Sequence, residues 1–469
     1  MFNNGTGATL ALFEGGGNTA VGSKTLYSNT TGSRNTANGY YALNSNSTGN
    51  DNIAIGYAAL LHNSTANENT AIGNYALSKQ IFNNGGIAWA SGNTAIGYNA
   101  LQNNYPTAID NGVFNTAVGH SALLNNTTGA YNTATGYATL YNNTTGSNNA
   151  ASGYAALYTN TTGYQNTATG QGALYSNDVG YSNTAYGYSA LAFNTNGTYN
   201  TAVGNEALSA GGSNCTAIGS KALYTNTSAN NTAAGAESLY KNTGDNNTAL
   251  GYQALYNNTD GSLNTVLGST ADVALPGLIN ATAIGFAAKV NASNKMQLGN
   301  LSTVTIATYG AYTNVSDGRF KENIKTDVKG LDFIMKLKPV TYNFDYDLYD
   351  HFISNVAIAN TDPAEKTIFV NQKTNAGENS EYKSQLAART SKRETGFVAQ
   401  DVEKAVIETG YTGFNGVYAP TNSKDNYALD YSKLVVPLVK AVQEQQAMIR
   451  TQQQQIDLLM KRIEALEKK

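Results

Sequence analysis

The sequence predicts a mainly β chain, a long solenoid of short strands followed by one compact module, and three observations predict it. The first is a phrase that recurs with variation sixteen times, Asn-Thr-Ala-Ile/Val-Gly, in most copies with a Leu four residues beyond the glycine, running from Gly22, Gly39 and Gly56 to Gly268 and Gly285. Its interval is mostly 17 residues, too short for a helical hairpin repeat and suited to one turn of a coil of strands. The second is composition. Residues 1–300 hold 7 of the 28 Lys and Arg and 10 of the 31 Asp and Glu, and the remaining 169 residues, of ordinary globular composition, hold the rest. The third is a heptad pattern confined to the C-terminal tail.

The copies of the repeat align with one another and show which positions the coil needs. Ala stands two residues before the glycine in fifteen copies, from Ala20 to Ala283, with Val266 the exception. Leu follows the glycine by four residues in the first fourteen, from Leu26 to Leu255. The residue just before the glycine is looser, with Val21, Ile55 and Ile72 beside Asn38, Thr135, Ser152 and Tyr186. Side chains alternate across a strand, so Ala and Gly are expected on one, buried face and Thr with the variable residue on the other. Stacked Leu would form an apolar ladder at about 4.8 Å, and sixteen turns a rod of roughly 75 Å. Asn-Thr-Thr-Gly and Ser-Thr-Gly runs supply turns. So thin a core predicts that several chains associate side by side.

These repeats resemble the head regions of trimeric autotransporter adhesins and related bacterial and phage fibres, through Thr-Ala-Ile-Gly at 70–73, 94–97, 216–219 and 282–285. The resemblance implies a parallel β-roll that trimerises. The repeat is longer than that family's commonest one. The chain finishes Leu466-Glu467-Lys468-Lys469, unlike the membrane-embedded barrel that ends such adhesins, so no anchor of that kind is expected.

Two intervals are over-long: Gly73 to Gly97 is 24 residues and Gly97 to Gly119 is 22. The additions carry Phe82, Trp89, Tyr105 and Pro106. Insertions leave solenoids from one edge, so Phe82, Trp89 and Tyr105 are candidate contacts for a receptor or glycan. The competing reading is an insertion that packs its own aromatics. The many Asn-X-Ser/Thr triplets follow from repeat composition and do not require glycosylation.

Charge and composition exclude several classes. A net charge of -3 and a shaft without basic clusters argue against nucleic acid. A single cysteine, Cys215, standing where most repeats carry Asn, rules out an intrachain disulfide framework. His62, His120 and His351 are scattered, so no metal and no cofactor is expected. No run of about 18 apolar residues exists, so no transmembrane helix is expected. The start, Met-Phe-Asn-Asn-Gly, lacks the basic and apolar regions of a secretory signal and reads equally as a fragment that begins inside its first repeat.

After the shaft, residues 301–315 read as an extended β neck. Then comes Ser316-Asp317-Gly318-Arg319-Phe320-Lys321. Asp-Gly is a strong turn dipeptide and folds Lys321 back towards Ser316. A lysine that loses its proton in a partly dry site can act as general base for a serine hydroxyl, a form that Arg319 nearby favours. Asp317 beside the pair would instead hold Lys321 protonated.

Ser316 to Ile324 resembles the opening signature of the intramolecular chaperone domain of endosialidase tailspikes and phage fibres, the peptidase S74 family. The resemblance continues through Leu331–Tyr342, Thr395–Glu403 and Ala428–Leu434 and spans about 316–469. It implies a small α+β chaperone domain, over 316–433, whose serine and lysine cleave the domain's own backbone beside the serine after the trimer assembles. Those roles fall on Ser316 as nucleophile and Lys321 as base. The stretch from Phe344 to Arg393 matches no motif of the family and reads as a polar, irregular insertion.

The tail, 434–469, carries Val435, Leu438, Val442, Gln445, Ile449, Gln452, Ile456, Leu459, Ile463 and Leu466 at alternating steps of three and four. Val or Ile alternating with Leu suits two strands, Gln445 and Gln452 interrupt that rule, and the resemblance implies three. Pro437 is acceptable only in the first helical turn. A helix lying on its own domain is the competing reading.

The expected protein is a homotrimeric fibre or adhesin, such as a phage tail fibre, that binds a host or cell surface from the virion or the extracellular side. Its C-terminal domain aligns three chains and then releases itself, so any enzyme activity is directed at its own chain. The alternative is a bacterial surface or secreted adhesin that keeps its last domain. A polysaccharide-degrading tailspike ranks third, because a glycosidase needs two carboxylates flanking the scissile bond and the shaft's ten acids are scattered singly.

Overall fold

The computed structural model describes residues 15–303, 305, 306, 316–354, 384, 387–422 and 425–467. The chain divides into two compact units, Met1–Gly299 and Asn300–Lys469.

The first unit is a parallel β-solenoid. Seventeen strands of three residues form one sheet, from Thr19–Val21 to Met296–Leu298. Equivalent positions pair turn upon turn, as where Thr133, Ala134 and Thr135 face Ala150, Ala151 and Ser152. The last turn escapes a reading of the repeat. Met296-Gln297-Leu298 replaces Thr-Ala-Ile yet pairs in register with Thr282–Ile284.

In most strands the middle Ala points inward and its neighbours outward, so Ala134 and Ala168 are fully buried. The Leu ladder is buried as expected, with Leu123, Leu140 and Leu157 all at 0% exposure. The glycine has a different reason from the one expected. Gly170 is only half-buried, but it has φ of 133°, and a Cβ there would lie 2.4 Å from the carbonyl oxygen of Gly187. Stacking of backbone on backbone demands the glycine, and placement in the core does not.

The Asn residues of the repeat, in the strand phrase and in the turn runs alike, are also core. Asn132 and Asn149 are buried, and the N–H of each is bound by the side-chain oxygen of the Asn one turn earlier, at 3.0 Å in both cases. Asn132 Nδ2 donates to the Gly146 carbonyl at 2.8 Å. A second column joins side chain to side chain: Asn160 Nδ2 donates to Asn143 Oδ1 at 2.8 Å and to Gly163 O at 2.9 Å, while its own oxygen accepts from Asn177 at 2.8 Å. Buried amides are tolerated because each satisfies the next. Cys215 fills one position of the first column: its N–H bonds Asn200 Oδ1 at 3.0 Å, and its thiol, pushed to higher pKa by burial, lies 3.3 Å from Ser228 O.

The second unit is a small α+β module. Helices α1 (Leu331–Ile334) and α2 (Tyr346–Ser354) come first, then α3 (Ala399–Thr409) and a 33-residue α4 (Val435–Glu467). Val340–Asn343 pairs antiparallel with Arg393–Gly396, and Val417–Tyr418 with Ala428–Leu429. Phe333, Val402, Ala405 and Tyr411 are buried together, with Phe397, Leu429 and Leu434 packed on them. The separate motifs of the sequence thus meet in one core.

The expected neck is not a strand where it is described, since Leu301 and Ser302 form a turn, and residues 304 and 307–315 lie outside the described residues. The stretch expected to be irregular contains α2, while 355–383, 385 and 386 lie outside the described residues.

Candidate functional site

The site begins with a turn that its own sequence closes. Asp317 is extended and its carboxylate accepts the Arg319 N–H at 2.9 Å, capping a single 3-10 turn over Gly318–Phe320. Lys321 N–H then bonds the Gly318 carbonyl at 3.2 Å. The turn carries the lysine side chain back to the serine, and Lys321 Nζ lies 2.8 Å from Ser316 Oγ. This is the separation that proton transfer from a hydroxyl to an amine requires.

The flanking charges act on each other. Arg319 places Nε at 2.9 Å and Nη2 at 2.6 Å from Asp317 Oδ2. The guanidinium holds the Asp317 carboxyl below its ordinary range. Asp317 therefore meets Arg319 and its own turn, and neither the expected restraint of Lys321 by Asp317 nor its expected release by Arg319 rests on a direct contact seen here. Water surrounds the pair in a single chain: Ser316 and Lys321 are exposed, and Phe320 and Ile324 beside them are 74% and 76% exposed. An amine serves as base only after losing its proton, and removal of water drives that loss.

The candidate receptor residues lie elsewhere, in the first unit. Trp89 is only 6% exposed and packs edge-on against Phe82 with ring centroids 5.4 Å apart, beside Ala66, Val113 and Ala130. Tyr105 is half-buried, with Lys79 Nζ 5.9 Å from its ring centre. The first insertion thus packs its own aromatics, and exposed apolar side chains of the two additions are Ile81, Ile87 and Ile109.

The shaft carries a larger aromatic surface, outside the candidate residues. Tyr137 and Tyr154, each following a repeat glycine, stack at 5.2 Å, and His120 continues the row at 5.2 Å from Tyr137. Tyr141, Tyr158 and Tyr175 form a neighbouring row at 5.1 and 5.2 Å. Tyr224, Tyr240 and Tyr256 repeat it further along. The recurrence of Tyr one and five residues beyond the glycine is the signal in the sequence that would have found them.

On α4 the heptad apolar residues Val435, Leu438, Val442, Ile449, Ile456, Leu459, Ile463 and Leu466 are all exposed. The residues of α4 that meet their own module are different ones: Pro437 and Ala441 are buried, and Glu444 accepts the Leu331 N–H at 2.8 Å. Among the described residues no cluster of three or more His, Cys, Asp or Glu is placed to hold a metal, and no helix is long and apolar enough to cross a membrane.

The chain thus carries a repetitive parallel β-solenoid followed by a small α+β module that opens on a Ser–Lys pair. Residues 316–357 match the family model described as peptidase S74, chaperone of endosialidase. The matched stretch begins at Ser316, and the later motifs at 395–403 and 428–434 lie beyond it. No curated protein matches the chain. The chain therefore combines a parallel β-solenoid shaft with a domain of the endosialidase-chaperone type.

Proposed function

We propose that this chain is the subunit of a homotrimeric tail fibre or tailspike-type structural protein, whose C-terminal module aligns three chains and then cuts itself free. The observation that carries the reading is the hydrogen bond from Lys321 Nζ to Ser316 Oγ at 2.8 Å, at the start of the matched domain. In the cut, Ser316 Oγ passes its proton to a neutral Lys321 amine and attacks the carbonyl of the peptide bond beside it, whose C–N bond breaks as the Lys321 ammonium returns the proton to the departing nitrogen, leaving an ester. Water then hydrolyses the resulting ester. The exposed pair is idle while wet, and a neighbouring chain that covers Phe320 and Ile324 would dry it. Cleavage is thereby coupled to assembly.

Assembly has a physical purpose. Near-identical turns permit slippage by one repeat at little cost, so a uniform shaft needs a terminal clamp to choose its register. The exposed heptad face of α4 supports that clamp, because three copies can bury what one leaves in water. Outward-facing tyrosine rows on a sparsely charged shaft suit attachment to a host or cell surface.

The test is intact mass and a denaturing gel of the purified chain beside Ser316→Ala. The wild type should yield two fragments that meet at Ser316, and the variant one full-length species. A single full-length species from both would end the self-cleavage reading. Sedimentation should give three chains per particle in either case.

A further inference from the structure

Arg389 lies outside the matched domain segment, in the stretch between the sequence motifs. Its guanidinium sits over the ring of Tyr346 with 4.2 Å to the centroid, and Nη2 donates to the Tyr346 hydroxyl at 3.0 Å. Its other terminal nitrogen, Nη1, donates to two backbone carbonyls, those of Leu301 and, at 3.2 Å, Thr303. The mount is braced from behind. Asn343 Nδ2 donates to the carbonyls of Thr390 and Ser391 at 3.0 Å each, and Tyr346 OH lies 3.4 Å from Glu394 Oε1.

We propose that Arg389 is a grip by which the module holds the chain upstream of Ser316 and keeps the two products together after the cut. Leu301 and Thr303 stay covalently with the shaft when the bond beside Ser316 breaks, whereas Arg389 and Tyr346 stay with the module. The grip spans the break. It reads carbonyl oxygens and not side chains, so it is indifferent to the sequence it holds, and the guanidinium serves the two carbonyls from Nη1 while Nη2 holds the Tyr346 hydroxyl, a planar spread of donors that the single nitrogen of an ammonium cannot present. The ring face below it adds a cation–π contact that withdraws the charge from water. Release of the module is then a second event, separate from bond cleavage. The retention part rests on the self-cleavage reading; the grip itself does not.

The test separates the two. In a Ser316→Ala background, where no self-cleavage intervenes, thermolysin is applied to the full chain and to chains that also carry Arg389→Ala, Arg389→Lys or Tyr346→Phe. Cutting next to Leu301 and Ile306 should be at least ten-fold faster with Arg389→Ala and intermediate with Arg389→Lys and Tyr346→Phe, with unchanged far-ultraviolet dichroism. Equal rates in all four would overturn the grip. With Ser316 restored, the cleaved fragments should co-elute in size exclusion and separate on Arg389→Ala. Separation of the wild-type fragments overturns retention. A chain that does not cut itself defeats the cleavage reading and with it retention, while the protease rates still decide the grip.

Discussion

Asp272 stands where the repeat calls for Leu, four residues beyond Gly268, and it is buried. Its carboxylate accepts from Asn257 Nδ2 at 2.6 Å, from the Asn257 N–H and from the Val273 N–H, and Lys289 faces it in the paired strand. Burial outweighs these partners and raises its pKa from 3.8 to about 6. A carboxyl whose folded pKa is raised binds its proton more tightly when folded, so stability should fall as pH rises from about 4 to about 6 and stay low above that. The loss is on the order of 3 kcal/mol. Asp272→Asn should melt higher than the wild type at pH 7.5 and alongside it at pH 4, as followed by dichroism. The Leu residues carry another local cost. Leu140 has φ of 51°, and its counterparts in the other turns are likewise left-handed. That conformation costs roughly 1–2 kcal/mol per residue. It turns the side chain inward, and the N–H it presents is met by the Ala156 carbonyl at 2.9 Å.

At the scale of the element, the solenoid is held by columns, and the columns have ends. Asn63 Oδ1 and Asn194 Oδ1 are buried without a partner. Each stands where the next turn breaks the pattern: Gln80 sends its amide to Ser91 Oγ at 2.7 Å, and Gly211 has no side chain to send. Mid-column positions should be the costly ones. Asn160→Ala removes two donated bonds and one of the two that the Asn177 amide donates, and is expected to cost about 2–4 kcal/mol. Chemical denaturation should read it as a lower midpoint. A drop below 1 kcal/mol would mean that water replaces the amide freely. The columns were only half readable beforehand. Their period was plain, but Asn is common in turns as well as in satisfied cores, and only the neighbouring turn reveals which.

For the whole molecule, the expected assembly rests on what one chain leaves uncovered. Ile456 lies on the heptad face of α4, well beyond the buried Pro437 and Ala441. Ile456→Asp should abolish the three-chain particle in sedimentation and, if cleavage waits for assembly, leave the chain uncut; a trimer that persists would move the clamp away from α4. The same residues show how far the site was readable. Asp317-Gly318 announced a turn, and the turn does bring Lys321 to Ser316. The pairing of Asp317 with Arg319 was not foreseeable, since either charge could have turned to the lysine.

The sequence by itself determined the period, the strand-centre Ala, the Leu ladder and the heptad, because each follows from a repeat that a single pattern must satisfy at every turn. Only the tertiary structure decided that Asn is core, that Trp89 is enclosed while the tyrosines face outward, and that Arg389 reaches Leu301. Those depend on which backbone or ring stands opposite, and stacking brings together groups that the local pattern does not pair.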